Sequence, residues 1–358
     1  MSFDKDFWRQ KKVFITGHTG FKGGWLAALL KYLEADVLGF SLPAEEESFF
    51  NKTNIRASLS HNEGDIRNLD DLIELEKNFS PDILLHLAAQ PLVIRSYEDP
   101  IETYSTNIMG TVNILELIRQ SQSIRSGVII TTDKCYENND LERGYVESDP
   151  MGGHDPYSSS KGSAELVISS YQRSFFSQDH YSEHGKAIGS ARAGNVVGGG
   201  DYAENRLIPD FVRSIATKSS MEIRSPHSTR PWQHVLEPLI GYLMVGQRLF
   251  EKGPSSSDCW NFGPQKDDIR KVSEVADLFC NSWGESLSWV STDSAKYHEA
   301  KNLSLDINKA KETLGWEPKW NLKETIEKVV DWYKEEMSGK DSLDKTFNQI
   351  SDYLNTDS

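Results

Sequence analysis

Tyr157-Ser158-Ser159-Ser160-Lys161 places a phenol and an ammonium one helical turn apart, on one face of a helix. A tyrosine with its ordinary pKa of about 10 is a poor base at neutral pH. A neighbouring ammonium favours the phenolate, and so does an oxidised nicotinamide. Tyr157 can then accept a hydroxyl proton while hydride leaves the same carbon. The spacing alone is cheap, because Tyr297-His298-Glu299-Ala300-Lys301 repeats it. That second copy reads as a surface helix or a lobe contact. Tyr157 is preferred because it opens a helix 25 residues after Thr132, at a strand end. There, in Thr132-Asp133-Lys134, Thr132 can hydrogen-bond the oxygen being oxidised. Asp133 is a carboxyl that oxidation alone does not need; beside a substrate it permits acid-assisted loss of water. The alternative is that Asp133 caps a loop. Lys134, with an ordinary pKa of about 10.4, is a base only where its surroundings depress it strongly. Otherwise it orients Asp133 or an enolate while another group takes the proton.

A phosphate cradle precedes these residues. Gly17-His18-Thr19-Gly20-Phe21-Lys22-Gly23 follows the first strand and opens the first helix, with glycines at its first, fourth and seventh positions. Such a loop lets backbone approach a pyrophosphate at a helix amino terminus. The alternative is an ordinary Gly-rich turn. The acidic residue that usually holds the adenosine ribose lies about 20 residues further on. Here that strand end reads Phe40-Ser41, while Asp36 lies at the wrong end. No arginine stands there for a 2′-phosphate, which favours NAD over NADP. Asp65, followed by Ile66 and Arg67, is either an adenine contact or a solvated loop carboxylate.

The elements that must position these groups alternate. Val13–Thr16, Val37–Phe40, Asp82–Leu87, Gly127–Thr132 and Ala187–Arg192 read as strands. Trp25–Leu33, Asp70–Phe79 and Thr111–Arg119 read as helices. This order implies an α/β chain: a Rossmann-like, doubly wound parallel sheet. Its sites belong at the carboxyl ends of the strands, where Gly17, Ala88-Ala89-Gln90 and Thr131-Thr132-Asp133 fall. Gly198-Gly199-Gly200-Asp201 reads as a flexible link. Leu236–Phe250 and Leu322–Met337 read as helices, and the last polar stretch as frayed. The chain divides into an NAD-binding domain, residues 1–194 with 233–262 returning to it, and a smaller α-rich carboxyl-terminal substrate lobe, residues 195–232 and 263–358.

Composition narrows the partners. The 358 residues carry 39 basic and 54 acidic side chains, a net charge of −15. This argues against nucleic acid and anionic membranes. Three cysteines are too few for a disulfide framework, so a reducing, cytoplasmic setting is expected. The charged start has no signal-peptide core, and no apolar run approaches membrane-spanning length. Asp179-His180-Tyr181-Ser182-Glu183-His184 has metal-like spacing but no companion cluster. It reads as a solvated turn, and no metal is expected.

The cradle, Thr132, Tyr157 and Lys161 together resemble the extended short-chain dehydrogenase/reductase superfamily acting on nucleotide sugars. Leu314-Gly315-Trp316-Glu317-Pro318 and Trp332-Tyr333 resemble its carboxyl-terminal signature, so the likeness spans nearly the whole chain. Ala88-Ala89-Gln90-Pro91, Thr131-Thr132-Asp133-Lys134-Cys135-Tyr136 and Arg230-Pro231-Trp232-Gln233-His234-Val235 narrow it to the 4,6-dehydratases that take CDP-glucose. Related dTDP-sugar dehydratases carry glutamate, their carbon 5 base, where this chain has Lys134. The resemblance implies NAD held by Gly17, Thr19, Gly20, Phe21, Lys22, Gly23, Asp65, Ile66, Ala88, Ala89, Gln90, Tyr157 and Lys161. It places Asn195, Arg206, Leu207 and Arg230 against the nucleotide sugar; Arg95 is a further candidate for that pocket. Catalysis would fall to Thr132, Asp133, Lys134, Tyr157 and Lys161: oxidation at carbon 4, loss of water across carbons 5 and 6, and reduction at carbon 6. It further implies a homo-oligomer, paired through the helices after Thr111 and at Tyr157, in a pathway toward dideoxy sugars of O-antigen and lipopolysaccharide. A 4-epimerase needs Thr132, Tyr157 and Lys161 but no elimination acid, and Asp133 argues against it. A non-catalytic NAD-binding scaffold would not need the Tyr157/Lys161 pair.

Overall fold

Seven strands form one sheet: β1 (Lys12–Thr16), β2 (Asp36–Ser41), β3 (Ser60–Glu63), β4 (Ile83–His86), β5 (Ser126–Ile130), β6 (Ala187–Ala193) and β7 (Cys259–Phe262). The computed structural model describes residues 3–284, 287–292 and 303–356. The strand order is β7-β6-β5-β4-β1-β2-β3, and every neighbouring pair is parallel. The order reverses between β1 and β4, which opens a crevice at their carboxyl ends.

Because both faces are covered, the inner strands are buried along nearly their whole length rather than in alternation. On one face Val13, Ile15, Leu85 and Val128 pack with α1 (Phe21–Tyr32) and a later helix, Leu236–Lys252. On the other, Phe14, Leu84 and Ile129 pack with α2 (Leu69–Phe79), α3 (Gly110–Gln120) and α4 (Pro156–Ser174). Each such fully buried aliphatic side chain contributes roughly 1.5–3 kcal/mol. β3 escaped the pattern reading because Ser60-His61-Asn62-Glu63 is a polar edge strand paired on one side only.

Beyond β6 the chain forms α5 (Leu207–Thr217), the helix Leu236–Lys252 (α6), α7 (Val272–Trp283), α8 (Leu322–Met337) and α9 (Ser342–Asn355), with three two-stranded pairs. Two expectations need correcting here. Gly198, Gly199 and Gly200 are buried, not a flexible link: the Trp332 and Phe49 rings lie on their backbone, and Trp25 Nε1 donates to Gly199 O at 2.8 Å. The polar tail is not frayed either. Asp341 caps α9, and Thr346, Gln349, Ile350 and Tyr353 are buried at helical spacing. The second Tyr-x-x-x-Lys, residues 297–301, lies outside the described residues.

Candidate active site

Gly162 explains how the strand end and the helix meet. A Cβ there would sit 2.6 Å from Gly152 O and 3.0 Å from Cys135 O. Only glycine lets α4 lie directly on the backbone that follows β5. Asp155 caps α4 by accepting from Ser158 N at 2.9 Å, and Pro156 begins the helix. Tyr157 and Lys161 thereby face the turn Asp133–Cys135, which Thr132 caps. Asn107 ties this helix to the β4 end: it donates to Ser160 Oγ at 2.8 Å and accepts from Gln90 N at 2.8 Å. Asn107 sits in a widened π-helical turn, Ser105–Met109, that sequence periodicity does not reveal.

The groups at the centre are buried. Asp133 is 2% exposed. Its Oδ1 accepts from Thr132 Oγ1 at 3.0 Å, and its buried Oδ2 has no hydrogen-bond partner. Burial pushes this carboxyl above its ordinary range, opposed by the charges of Lys134, Arg230 and Lys22. Lys161 Nζ donates to Ile130 O at 3.3 Å, and burial lowers its pKa to about 8. Tyr157 differs from the sequence expectation: burial raises its phenol to about 12, and the Thr132 hydroxyl and the Arg206 charge only partly offset this. The chain's own groups therefore do not hold it as a phenolate. Lys22 is also lowered to about 8, by burial and then by Lys161 and Arg206, with Asp133 opposing.

The cradle is built as its glycines require. Gly17 has φ +81°, and a Cβ on it would lie 2.6 Å from Ala88 N; one on Gly23 would lie 2.0 Å from Gly17 O. No side chain caps α1 at Gly20, so its first amides face the crevice without a side-chain acceptor. This backbone fits a dinucleotide pyrophosphate. At the β2 end stand hydroxyls instead of a carboxylate: Thr19 Oγ1 and Ser41 Oγ are 2.7 Å apart. His18, neutral because burial and His61 lower it to about 3, sits over Gly39 with Nε2 2.6 Å from His61 Nδ1.

The other assigned residues have mixed placements. Asp65 is paired with Arg67, accepting from its Nε at 2.9 Å. Ile66 packs against Gly110. The Gln90 side chain is spent on Thr103 and Leu92. Ala88 N donates to Thr16 Oγ1 at 3.4 Å, and Ala89, Phe21 and Lys22 are half-buried around the crevice. Arg206 precedes α5, donates to Asp201 Oδ2 at 2.9 Å, and its charge reaches Tyr157. Leu207 begins α5, and the Asn195 carbonyl accepts from Gln233 N at 3.0 Å. Arg230 is 4% exposed, and its charge acts on Asp133. The Arg95 side chain is 55% exposed and its guanidinium grips Glu102 bidentately, at 2.7 and 3.0 Å. Sequence reasoning passed over Glu165 and Arg192, a buried pair 2.8 Å apart beneath this centre. A glutamate one turn after Lys161 was the available signal. In the stretch with metal-like spacing, His180 pairs with Glu183, and His184 Nε2 contacts the Ser177 carbonyl. Among the described residues no three His, Cys, Asp or Glu side chains are grouped to hold a metal.

A parallel sheet in this order, a glycine cradle and a Thr/Tyr/Lys centre with an added acid define a nucleotide-sugar dehydratase or epimerase site. The chain belongs to the GDP-mannose 4,6 dehydratase family, whose model matches residues 14–329. It is 48% identical over 352 residues to CDP-glucose 4,6-dehydratase of Salmonella typhimurium, covering 98% of both chains. It is 25% identical to dTDP-D-glucose 4,6-dehydratase of Homo sapiens, over 94% of this chain and 93% of that one. Among solved structures, UDP-glucose 4-epimerase of Thermotoga maritima superposes with a TM-score of 0.78 at 20% identity, covering 91% of this chain and 99% of that one. A dTDP-glucose 4,6-dehydratase of Bacillus anthracis, in complex with NAD, gives 0.74 at 22% identity, covering 93% and 99%.

Proposed function

We propose that the protein is a hydro-lyase that converts CDP-glucose to CDP-4-dehydro-6-deoxyglucose with tightly held NAD. The observation that carries the elimination is Asp133: a sealed carboxyl with one oxygen unpartnered and its proton favoured, beside Thr132 and Tyr157. Near-complete alignment at 48% identity to a CDP-glucose 4,6-dehydratase supports the substrate.

NAD, when bound along the Gly17–Gly23 cradle, supplies transient oxidation at carbon 4 and the later reduction at carbon 6. Tyr157 takes the carbon 4 hydroxyl proton, and Thr132 turns its hydroxyl from Asp133 Oδ1 to donate to that oxygen. Lys161, fixed on the Ile130 carbonyl, supplies positive charge toward the phenol. The carbon 4 ketone acidifies the proton on carbon 5. Asp133 then protonates the departing carbon 6 hydroxyl, and the bond between carbons 5 and 6 becomes unsaturated. Lys134 is the candidate for the carbon 5 proton. A second role has its own support: the Lys134 charge leads those acting on Asp133, which fits orienting that acid. Arg206 and Arg230 supply guanidinium groups for the pyrophosphate.

Exposed Ile101, Met109 and Leu166, at 81%, 53% and 62%, lie beside and on α3 and α4 and support a homo-oligomer paired there. Among the described residues no helix is long and apolar enough to cross a membrane. A cytoplasmic role in making dideoxy sugars for O-antigen and lipopolysaccharide accords with the proposed product.

Purified protein incubated with CDP-glucose and no reductant tests this reading. Loss of one water from the sugar nucleotide with no net change in nicotinamide absorbance is expected. An isomerised sugar of unchanged mass would replace the reading with a 4-epimerase.

A further inference from the structure

Glu165 lies one turn beyond Lys161 on the face of α4 that carries Tyr157. Its side chain and that of Arg192, on β6, are each only 4% exposed. Arg192 donates to it from Nε at 2.9 Å and Nη2 at 2.8 Å. Ser190 Oγ donates at 2.8 Å, and Thr131 Oγ1, at the end of β5, donates as well. On its other side Arg192 Nη1 donates to the Tyr136 hydroxyl at 2.7 Å and the Glu147 carbonyl at 3.1 Å. The Tyr136 hydroxyl donates to Asn261 Oδ1, on β7, at 2.7 Å. Asn261 Nδ2 in turn donates to the carbonyls of Tyr145 at 2.8 Å and Asp306 at 3.2 Å. One unbroken network thus joins the Tyr157/Lys161 helix to the ends of β5, β6 and β7 and to the segment at Asp306.

Burying two charges so completely is costly, and apolar side chains of equal volume stabilise a core at least as well. Stability alone does not account for the pair. We propose that Glu165 and Arg192 are positioning residues that register the strand end bearing Thr132 and Asp133 against the helix bearing Tyr157 and Lys161, with Glu165 supplying the counter-charge to Lys161. The kinetic consequence rests on the dehydratase reading; the charge coupling does not.

The groups that face Lys161 are Lys22 from the cradle, His86 from β4, Cys135 after β5, Tyr157 and Glu165. Lys22 repels its charge. His86 is lowered to about 3 by burial and then by Lys161, so it is neutral; burial keeps Cys135 a thiol. Glu165 is the carboxylate of this set. Losing its charge lets burial and the freed Arg192 charge drive Lys161 further down.

Glu165→Gln, Glu165→Asp and Thr131→Val test this. Nitrogen-15 NMR of the lysine side chains in the ligand-free protein, with Lys161 assigned through Lys161→Met and followed across pH, reads its protonation directly. Glu165→Gln should lower that midpoint by about one unit. With saturating CDP-glucose it should also move the alkaline limb of kcat to lower pH and cut kcat at pH 8 about fivefold, with KM little changed. Glu165→Asp should keep the midpoint yet lower kcat, because the shorter side chain breaks the register, and Thr131→Val should lower kcat without moving the midpoint. A folded Glu165→Gln protein with an unmoved midpoint overturns the charge role. Unchanged kcat in Thr131→Val and Glu165→Asp overturns the positioning role, and these two variants suffice if Glu165→Gln does not fold. A shifted midpoint in a protein inert toward CDP-glucose would sink the functional reading and leave the coupling standing.

Discussion

A buried aspartic acid with one oxygen unpartnered is suited to giving up a proton once and taking it back. Asp133→Asn keeps the shape and the Thr132 contact but has no acidic proton. Dehydrated product should fall by about 10²–10⁴-fold, the usual span for a positioned acid, while oxidation at carbon 4 persists. Nicotinamide absorbance that rises and stays high, with no mass loss from the sugar, is the expected signature. Tyr157→Phe should stop the earlier step, lowering kcat by a similar factor while NAD still binds by calorimetry. The phenol near 12 and the lysine near 8 belong to the chain without its cofactor. The bound nicotinamide's positive charge acts in the direction of a lower phenol pKa.

At the scale of elements, the site depends on a helix lying on a turn with no side chain between them. Gly162→Ala would push a methyl into two carbonyls, Gly152 O and Cys135 O. Overpacking of this kind costs about 1–3 kcal/mol, so a lower Tm and a larger loss in kcat than in KM are expected. The elements carrying the chemistry were legible in sequence because their signals are local. A β-branched run ending in Gly17 and a helix opening with Tyr157 and Lys161 one turn apart need no tertiary context. The same holds for Thr132-Asp133 at a strand end. What stayed hidden was non-local. Polar Ser60–Glu63 joins the sheet only through its neighbour, and Arg192 matters only once β6 lies beside β5 and under Glu165. The pairing of Arg95 with Glu102 was equally hidden, since nothing within its own segment announces it.

For the whole molecule, Glu237 on α6 clamps the carboxyl-terminal segment. It accepts from Trp320 N at 2.9 Å, from Lys319 N at 3.1 Å and from the Tyr353 hydroxyl. Burial raises its pKa from 4.5 to about 7. A carboxyl raised in the folded state contributes stability that is complete below about pH 4.5 and lost as pH rises through 7. Glu237→Gln should therefore flatten the fall in Tm between pH 5 and pH 8, a change of up to a few kcal/mol, readable by calorimetry. The exposed Ile101, Met109 and Leu166 predict association. Light scattering should show a dimer or larger at micromolar concentration, and Leu166→Glu should shift it toward monomer.

The three buried glycines after β6 carry a further consequence. Trp25, on the cofactor-cradle helix, bonds their backbone, and Trp332 and Phe49 cover it. Tyr333 donates to the Asp201 carbonyl at 2.6 Å, and the Asp201 carboxylate holds Arg206. The arginine assigned to the sugar nucleotide is thereby bolted, through a few aromatic side chains, to the helix assigned to the dinucleotide. On the proposed assignments, the gap between the two bound molecules is set by these packed side chains as the chain folds, and a hinge at the three glycines would have to break the Trp25 and Tyr333 hydrogen bonds.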